Sequence, residues 1–357
     1  MTVQDIGRLR PNPAIRSTIV GVSLAAIVSA ALFAIVMFVF SRADYLQSVD
    51  ASFGVTTGHP VWKTFQGRVL APYIIKAMAL GSPAHYVAAH MAFQFIAVAL
   101  AAFLLWRLGR KIGGNEQSGI FALALFVMSF VALLRPPCLY SWDFVDLIVF
   151  TLFIDFVLSN RPLSWFIGLF AVATWNRDSA NFIALWLMIE PVLRALRQRL
   201  KDGVMPALDW WRMLAGVACV AAGLIIAELL RRNLLIEEMA PKYFPDNPVV
   251  AGHRYNFVLP INIEYLRHSL FSQTALTVLS FLAITVWLGA AAARRDPQRG
   301  LPLFAIELAL IAATLGFGII YEPRVFVPLI PFFVVSAVQM RTAATSPGRI
   351  SSASSIG

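Results

Sequence analysis

The chain has 357 residues, of which 59% are hydrophobic and only 13% are charged. A soluble domain carries about a quarter charged residues, so this composition excludes an ordinary soluble enzyme and predicts a polytopic membrane protein. The formal net charge is +10, but the basic residues fall in short clusters between apolar runs, as in the cytoplasmic loops of membrane proteins. We therefore expect membrane lipids among its partners, and no nucleic acid.

Ten apolar runs meet or approach the length that a membrane-spanning helix needs. They are residues 17–40, 84–106, 118–134, 143–159, 162–175, 179–193, 212–230, 271–293, 301–320 and 325–340. Two of these, 162–175 and 179–193, are short, so we expect about ten spans. The prediction is an all-α membrane helical bundle with one transmembrane domain over residues 1–342. The small polar tail 343–357 is expected to be disordered in the cytoplasm.

The distribution of charge predicts how the chain is oriented. Clustered arginines and lysines occupy the segment before the first span and every second connection after it, whereas most acids and all five histidines fall between. Basic clusters stay in the cytoplasm, so both termini are expected there, with the chain in the inner membrane of a cell envelope. The long outer loops are then 41–83 and 231–270. The apolar segment Arg68–Leu80 predicts an interfacial helix in the first of them.

Charged residues at the ends of spans predict a site on the outer side, because such groups usually face a cavity or one another. The topology brings five groups to that side: Asp44 with Asp50, Arg68, Arg135 with Asp143 and Asp146, Arg177 with Asp178, and Glu322 with Arg324. Asp143 and Asp146 are three residues apart and share a helix face. They can bind a divalent metal or each pair with an arginine such as Arg135. Pairing is favoured, and no metal site is predicted.

Structural roles stay open for several of these residues. Arg177 and Asp178 can form a pair that caps the following helix, and Arg324 can belong to a kinked packing helix. A short echo also links two arginines, since GRVLAP at 67–72 and PRVFVP at 323–328 each place an arginine four residues before a proline. Chance and a shared function both explain it.

With these features the chain resembles the GT-C superfamily of multi-span glycosyltransferases. The resemblance rests on the inside N-terminus, an acid in the first outer loop, an interfacial helix, short mid-chain helices and outer arginines, over most of residues 17–340. The chain lacks the adjacent Asp-Glu pair that many members of the superfamily carry. The resemblance implies transfer of a sugar from a polyprenyl-phosphate donor to an acceptor hydroxyl at the outer face of the cytoplasmic membrane. It implies a general base at Asp50, with Asp44 as the second choice, and a phosphate contact at Arg324.

The substrate-binding set that we predict around this chemistry is Arg68, Arg177, Asp178, Glu322 and Arg324. No cofactor is expected, although a divalent metal stays possible. Two other functions remain open: a transporter or flippase of a lipid-linked or polar substrate, and a polysaccharide polymerase. Asp155, Glu190 and Glu307 lie within predicted spans and favour the transporter, because buried carboxylates often relay protons.

Overall fold

The computed structural model describes residues 13–58, 67–135, 139–234 and 257–344. Over these residues the prediction of an all-α fold is confirmed, with thirteen α-helices and no strand. The helices are α1 (Pro13–Val39), α2 (Arg42–Thr57), α3 (Leu70–Met78), α4 (Tyr86–Gly113), α5 (Glu116–Leu133), α6 (Ser141–Leu158), α7 (Leu163–Thr174), α8 (Asn181–Asp202), α9 (Trp210–Leu234), α10 (Leu259–Ser269), α11 (Gln273–Arg295), α12 (Gly300–Phe317) and α13 (Ile330–Ala344). The 3₁₀ segments Pro83–His85, Asp178–Ala180 and Pro323–Leu329 precede α4, α8 and α13. Nearly all of the predicted tail 343–357 and the middle of the predicted loop 231–270 lie outside the described residues.

Eight helical segments in the described part of the chain are long and apolar enough to cross a membrane. They are Ile15–Val39, Pro83–Gly113, Glu116–Leu133, Asp178–Asp202, Trp210–Leu234, Gln273–Arg295, Gly300–Phe317 and Pro323–Thr342. These correspond to eight of the ten predicted spans and support a multi-pass membrane protein. The other two predicted spans are α6, which carries three carboxylates, and α7, which has only 12 residues.

Helix α6 runs through the interior of the bundle. Fourteen of its 18 residues are buried, and it packs against α3, α4, α7 and α13. At 1.5 Å per residue it is about 27 Å long. Because protein surrounds it, its carboxylates meet partners inside the protein instead of lipid. Asp143 and Asp146 lie near the start of this helix and Asp155 lies near its end.

The first predicted outer loop contains a helix, α2, that the sequence analysis did not assign. Ser41 and Asp44 form a reciprocal cap at its start: the Asp44 amide donates to Ser41 Oγ at 3.1 Å, and the Ser41 amide donates to Asp44 Oδ2 at 3.2 Å. Gly58 ends the helix with a left-handed φ of 79°, which glycine adopts without strain. Helix α3 lies within the predicted interfacial segment Arg68–Leu80, and its place at a membrane surface stays a prediction.

Cysteine labelling tests the predicted orientation. In a chain without its two native cysteines, we expect Ala84→Cys to react with a membrane-impermeant maleimide from outside. Gln298→Cys should react only after the membrane is permeabilised, because the basic connections stay in the cytoplasm. Both positions are exposed, so each label reports the side of the membrane. Labelling of both cysteines from one side would contradict the topology.

Candidate functional site

Side chains from separate parts of the sequence meet where α6 begins. Three of them are arginines: Arg68 precedes α3, Arg177 lies between α7 and α8, and Arg324 lies in the 3₁₀ segment before α13. We call these three residues the arginine cluster. All three belong to the predicted set of substrate-binding residues, and the structure brings them into one electrostatic neighbourhood.

Two buried aspartates on α6 hold two members of the cluster. The side chains of Asp143 and Asp146 are 0% and 2% exposed. Arg177 Nη1 lies 3.4 Å from Asp143 Oδ1 and 3.3 Å from Asp146 Oδ2. Arg324 Nη1 lies 3.5 Å from Asp143 Oδ2. The predicted pairing of these aspartates with arginines is therefore confirmed.

The partners of the two aspartates differ from the one suggested by the sequence. The sequence suggests Arg135, which is near these aspartates in the chain, but Arg135 Nη1 donates to the carbonyl of Leu134. Arg177 was instead weighed as a possible pair with Asp178 that caps α8. The structure turns the Arg177 guanidinium toward α6, and no side-chain cap is present at Arg177. The packing of α7 and α8 beside α6 therefore determines that Arg177 contacts the aspartates of α6.

The tip between α7 and α8 is fixed on α6 by further hydrogen bonds. Asn176 Nδ2 donates to Asp146 Oδ1 at 2.8 Å and to the Trp142 carbonyl at 3.0 Å. Ser179 Oγ donates to Asp146 Oδ1 at 3.2 Å. Asp146 thus accepts from three side chains, counting Arg177, and a buried carboxylate with several donors is well stabilised.

Backbone contacts place Arg68 beside this tip. The carbonyl of Trp175 accepts hydrogen bonds from the amides of Val69 at 2.9 Å and Leu70 at 2.8 Å. The start of α3 is therefore attached to the residue that lies two positions before Arg177. This attachment joins residues 105 and 106 positions apart in sequence, and no side-chain pattern in the sequence reveals it.

A pair of aromatic rings lies beside the cluster. The rings of Tyr140 and Trp142 are stacked with centroids 4.8 Å apart. The guanidinium of Arg324 is 4.4 Å from the Tyr140 ring centroid, and that of Arg68 is 5.2 Å from the Trp142 ring. Both are cation–π distances. The two arginines of the sequence echo therefore contact neighbouring rings of one stacked pair.

Arg68 remains charged at neutral pH. Burial, together with the positive charges of Arg177 and Arg324, lowers the pKa of Arg68 to about 9, while Asp143 and Asp178 act in the opposite direction. A pKa of 9 still leaves the guanidinium protonated at pH 7. The three guanidinium groups stand beside four carboxylates, Asp143, Asp146, Asp178 and Glu322, so an added anion would compete with these carboxylates for the arginines.

Two carboxylates border the cluster nearer to the surface. Glu322 is 21% exposed and pairs closely with Nη2 of Arg324. Asp178 is exposed, and its charge acts on Arg68. Glu322 can be displaced by another anion without leaving a buried carboxylate behind. Asp178 is thus an exposed carboxylate beside the arginines.

The structure does not bring Asp44 and Asp50 into the cluster. Asp44 belongs to the cap of α2. Asp50 is exposed, whereas Ser48 and Ser52 on either side of it are buried, and Ser48 Oγ donates to the Leu139 carbonyl. At 100° per residue, Asp50 lies on the opposite face of α2 from these serines. Among the described residues, no hydrogen bond or ion pair joins either aspartate to the cluster, and their catalytic role stays a prediction.

The described residues contain no group of three His, Cys, Asp or Glu side chains placed to hold a metal ion. The two aspartates that raised the possibility of a divalent metal are already bound by Arg177 and Arg324. A cation there would have to displace two guanidinium groups.

Replacing Arg177 should destabilise the fold, because it leaves Asp146 buried without its cation. We expect Arg177→Met to lower the free energy of unfolding by about 3 kcal/mol, the lower end of the cost of breaking a buried pair. Thermal or denaturant unfolding of the purified protein measures it. Adding Asp146→Asn should recover part of the loss. Arg135→Met, at a half-buried arginine without a carboxylate contact in the described structure, is the control and should change little.

Comparisons with known proteins leave the family of the chain open. The resemblance to the GT-C superfamily stays an expectation, and function is inferred from the geometry of the arginine cluster. No protein-family model matches the chain, and neither curated proteins nor solved structures provide a match.

Proposed function

We propose that the chain is a membrane glycosyltransferase of the GT-C type, which moves a sugar from a polyprenyl-phosphate donor to an acceptor hydroxyl at the outer face of the membrane. The observation that carries the proposal is the convergence of three arginines from three distant segments at one end of α6. Charged groups inside a membrane protein are costly and usually serve a substrate. A lipid-linked phosphate is an anion that reaches such a site from the bilayer.

The arrangement suits a phosphate group for geometric reasons. A guanidinium can donate two parallel hydrogen bonds to phosphate oxygens. The buried aspartates fix the orientation of Arg177 and Arg324, so little side-chain entropy is lost when a phosphate binds. Glu322, the more exposed partner of Arg324, occupies a position that a phosphate can take over. The cluster is thus a preorganised set of donors.

The proposed reaction is a single displacement. The acceptor hydroxyl oxygen attacks the anomeric carbon of the sugar and forms the new glycosidic bond, while the bond from that carbon to the phosphate oxygen breaks. The hydroxyl proton passes to the carboxylate of Asp178, which acts as general base. The bonding electron pair leaves with the polyprenyl phosphate, whose added negative charge the arginine cluster stabilises.

Asp178 is the carboxylate that the geometry favours for this role. Asp143 and Asp146 are buried and engaged by arginines, so neither is free to take a proton from an acceptor. Asp178 is exposed and close enough to Arg68 to act on its charge. Asp50, the base implied by the resemblance, lies on the outward face of α2. We therefore assign the role of general base to Asp178 instead of Asp50.

The middle of the bundle favours an enzyme over a transporter. Phe150 and Phe153 of α6 are fully buried, and their rings lie 6.0 Å and 6.5 Å from that of Phe332 on α13. Phe153 also contacts Trp186 at 5.6 Å. These rings fill the interior between the two ends of α6. A transporter would have to part them in every cycle, whereas a transferase needs only the outer end.

Turnover of lipid-linked sugars tests the proposed function. Purified chain in lipid nanodiscs is incubated with polyprenyl-phosphate hexoses and pentoses and a polysaccharide acceptor, and release of polyprenyl phosphate is measured. We expect release with at least one donor, dependent on acceptor. If no donor is consumed while the chain moves a lipid-linked sugar across vesicles, the chain is a transporter and the proposal fails.

A further inference from the structure

A second polar cavity lies at the other end of α6. Its volume is about 340 Å³, and it is lined by the end of α6, the middle of α8 and the starts of α7, α9 and α12. Phe156, near the end of α6, is part of its wall. Thirteen residues of helix separate Phe156 from Asp143, which is about 20 Å. The cavity is therefore distinct from the arginine cluster.

Four arginines line this cavity, against a single carboxylate in the lining. Glu190 pairs with two of them, Arg194 and Arg212, the latter at 3.4 Å. The side chains of the other two, Arg161 and Arg299, form no ion pair among the described residues, although the backbone amide of Arg299 donates to Asp296 Oδ1 at 3.3 Å. The lining thus carries a net charge of about +3, and the guanidinium groups of two of its arginines have no carboxylate partner.

Buried hydrogen-bond donors accompany these charges. Trp186 lines the cavity and is 3% exposed, and its Nε1–H has no acceptor in the described structure. Arg212 Nε, also in the lining, is another buried donor without an acceptor there. The Arg212 guanidinium lies 4.4 Å from the Trp186 ring centroid. Glu190 Oε2 in the same lining is a buried acceptor without a hydrogen bond, so two unsatisfied donors stand against one unsatisfied acceptor. Buried donors are normally satisfied, so this excess indicates that an acceptor-rich group belongs nearby.

We infer that this cavity binds a phosphate group, either the headgroup of an anionic lipid or a free phosphate compound. Its volume exceeds that of about ten water molecules at roughly 30 Å³ each, which accommodates a phosphate. The cavity opens to the surface at Asn160 and Gln298, both exposed. Basic pockets between membrane helices on the cytoplasmic side bind anionic headgroups, and the charge pattern assigns this end to that side. The inference does not depend on the proposed glycosyltransferase activity.

Protection of one cysteine at the cavity mouth tests the inference locally. Gln298→Cys is introduced into a chain without native cysteines, and its rate of maleimide labelling is measured in detergent. The probes are dioctanoyl phosphatidylglycerol and inorganic pyrophosphate, with dioctanoyl phosphatidylcholine as the uncharged comparison. We expect one anionic probe to slow labelling and the comparison lipid not to.

The same readout in charge variants decides whether the cavity arginines are responsible. Arg161→Gln with Arg299→Gln should raise the half-protecting concentration at least about tenfold, the effect of losing a charged hydrogen bond. The matched control, Arg197→Gln with Arg199→Gln, removes two exposed arginines from α8 outside the cavity lining and should shift it little. Unfolding temperatures verify that both variants fold.

The probe that protects the cysteine at position 298 identifies the ligand of the cavity. Protection by phosphatidylglycerol assigns the site to a lipid headgroup. Protection by pyrophosphate alone assigns it to a free phosphate compound. Absence of protection by either probe would overturn the inference. An equal shift in the control variant would also overturn it, since the effect would then come from overall charge.

Discussion

Asp178→Asn should lower the turnover number by about 10²- to 10⁴-fold, the usual contribution of a general base, while the donor still binds. The substitution keeps the size of the side chain and removes only the ability to accept the acceptor's proton. The Asp178 side chain is exposed and forms no hydrogen bond or ion pair with the described residues, so the fold should be unaffected. Steady-state kinetics with a lipid-linked sugar donor would measure kcat and the KM for the donor separately.

Asp50→Asn is the matched control for this experiment. It makes the same chemical change at another exposed aspartate, on the face of α2 opposite its buried serines. We expect near-normal turnover. Loss of turnover in Asp50→Asn with normal turnover in Asp178→Asn would return the base to the position implied by the family resemblance. The proposed role of Asp178 would then be wrong.

Arg324→Lys should weaken donor binding by about ten- to a hundredfold, corresponding to roughly 1.5–3 kcal/mol for a lost charged hydrogen bond. The charge is kept, but an ammonium cannot donate two parallel hydrogen bonds to a phosphate as a guanidinium does. Arg324 is 8% exposed and is held by Asp143 and Glu322, so its orientation is fixed before the donor arrives. Calorimetric titration of the folded variant with the donor would measure the change.

Glu322 allows a structural role of Arg324 to be separated from phosphate binding. If phosphate displaces Glu322 from Arg324, Glu322→Gln should leave donor affinity unchanged or raise it. If the Arg324–Glu322 pair is only structural, Glu322→Gln should lower stability and Arg324→Lys should not affect the donor. Normal donor affinity in a well-folded Arg324→Lys protein would rule out the phosphate contact.

The helical architecture was largely accessible from the sequence. Long apolar runs have few ways to satisfy their backbone in a membrane other than as helices, so most spans could be located. Helix α2 was missed because its apolar residues show little helical periodicity and because the composition of this segment is typical of a loop. Its signal was present, however: Ser41 followed three residues later by Asp44 is a capping pattern, and Gly58 supplies the end.

The sequence predicts which residues lie at the site better than it predicts which partners they contact. Topology alone placed Arg68, Arg177 and Arg324 on one side, because charged groups at span ends gather at a common surface. Their partners could not be read in the same way. Asp143 is 34 positions from Arg177 and 181 from Arg324, and only the packing of α6 against its neighbours selects these pairs over the nearer Arg135.

The cavity at the other end of α6 was not predicted. In the sequence, its arginines belong to three separate basic connections and indicate only positive-inside charge. What distinguishes Arg161 and Arg299 is that the folded bundle places them in one lining with Trp186. That convergence depends on the relative positions of α6, α8 and α12, which the order of charges along the chain does not contain.

The central claim is that the arginine cluster recognises a lipid-linked phosphate. The most direct test compares the affinity of the purified chain for a short-chain polyprenyl phosphate and for the polyprenyl alcohol of the same length. The measurement uses the Arg161→Gln/Arg299→Gln background, so that the second cavity does not contribute. We predict that the phosphate binds at least about tenfold more tightly, and that adding Arg68→Gln and Arg324→Gln removes this preference. Equal affinity for the two lipids, or a preference that survives both added substitutions in folded protein, would contradict the claim.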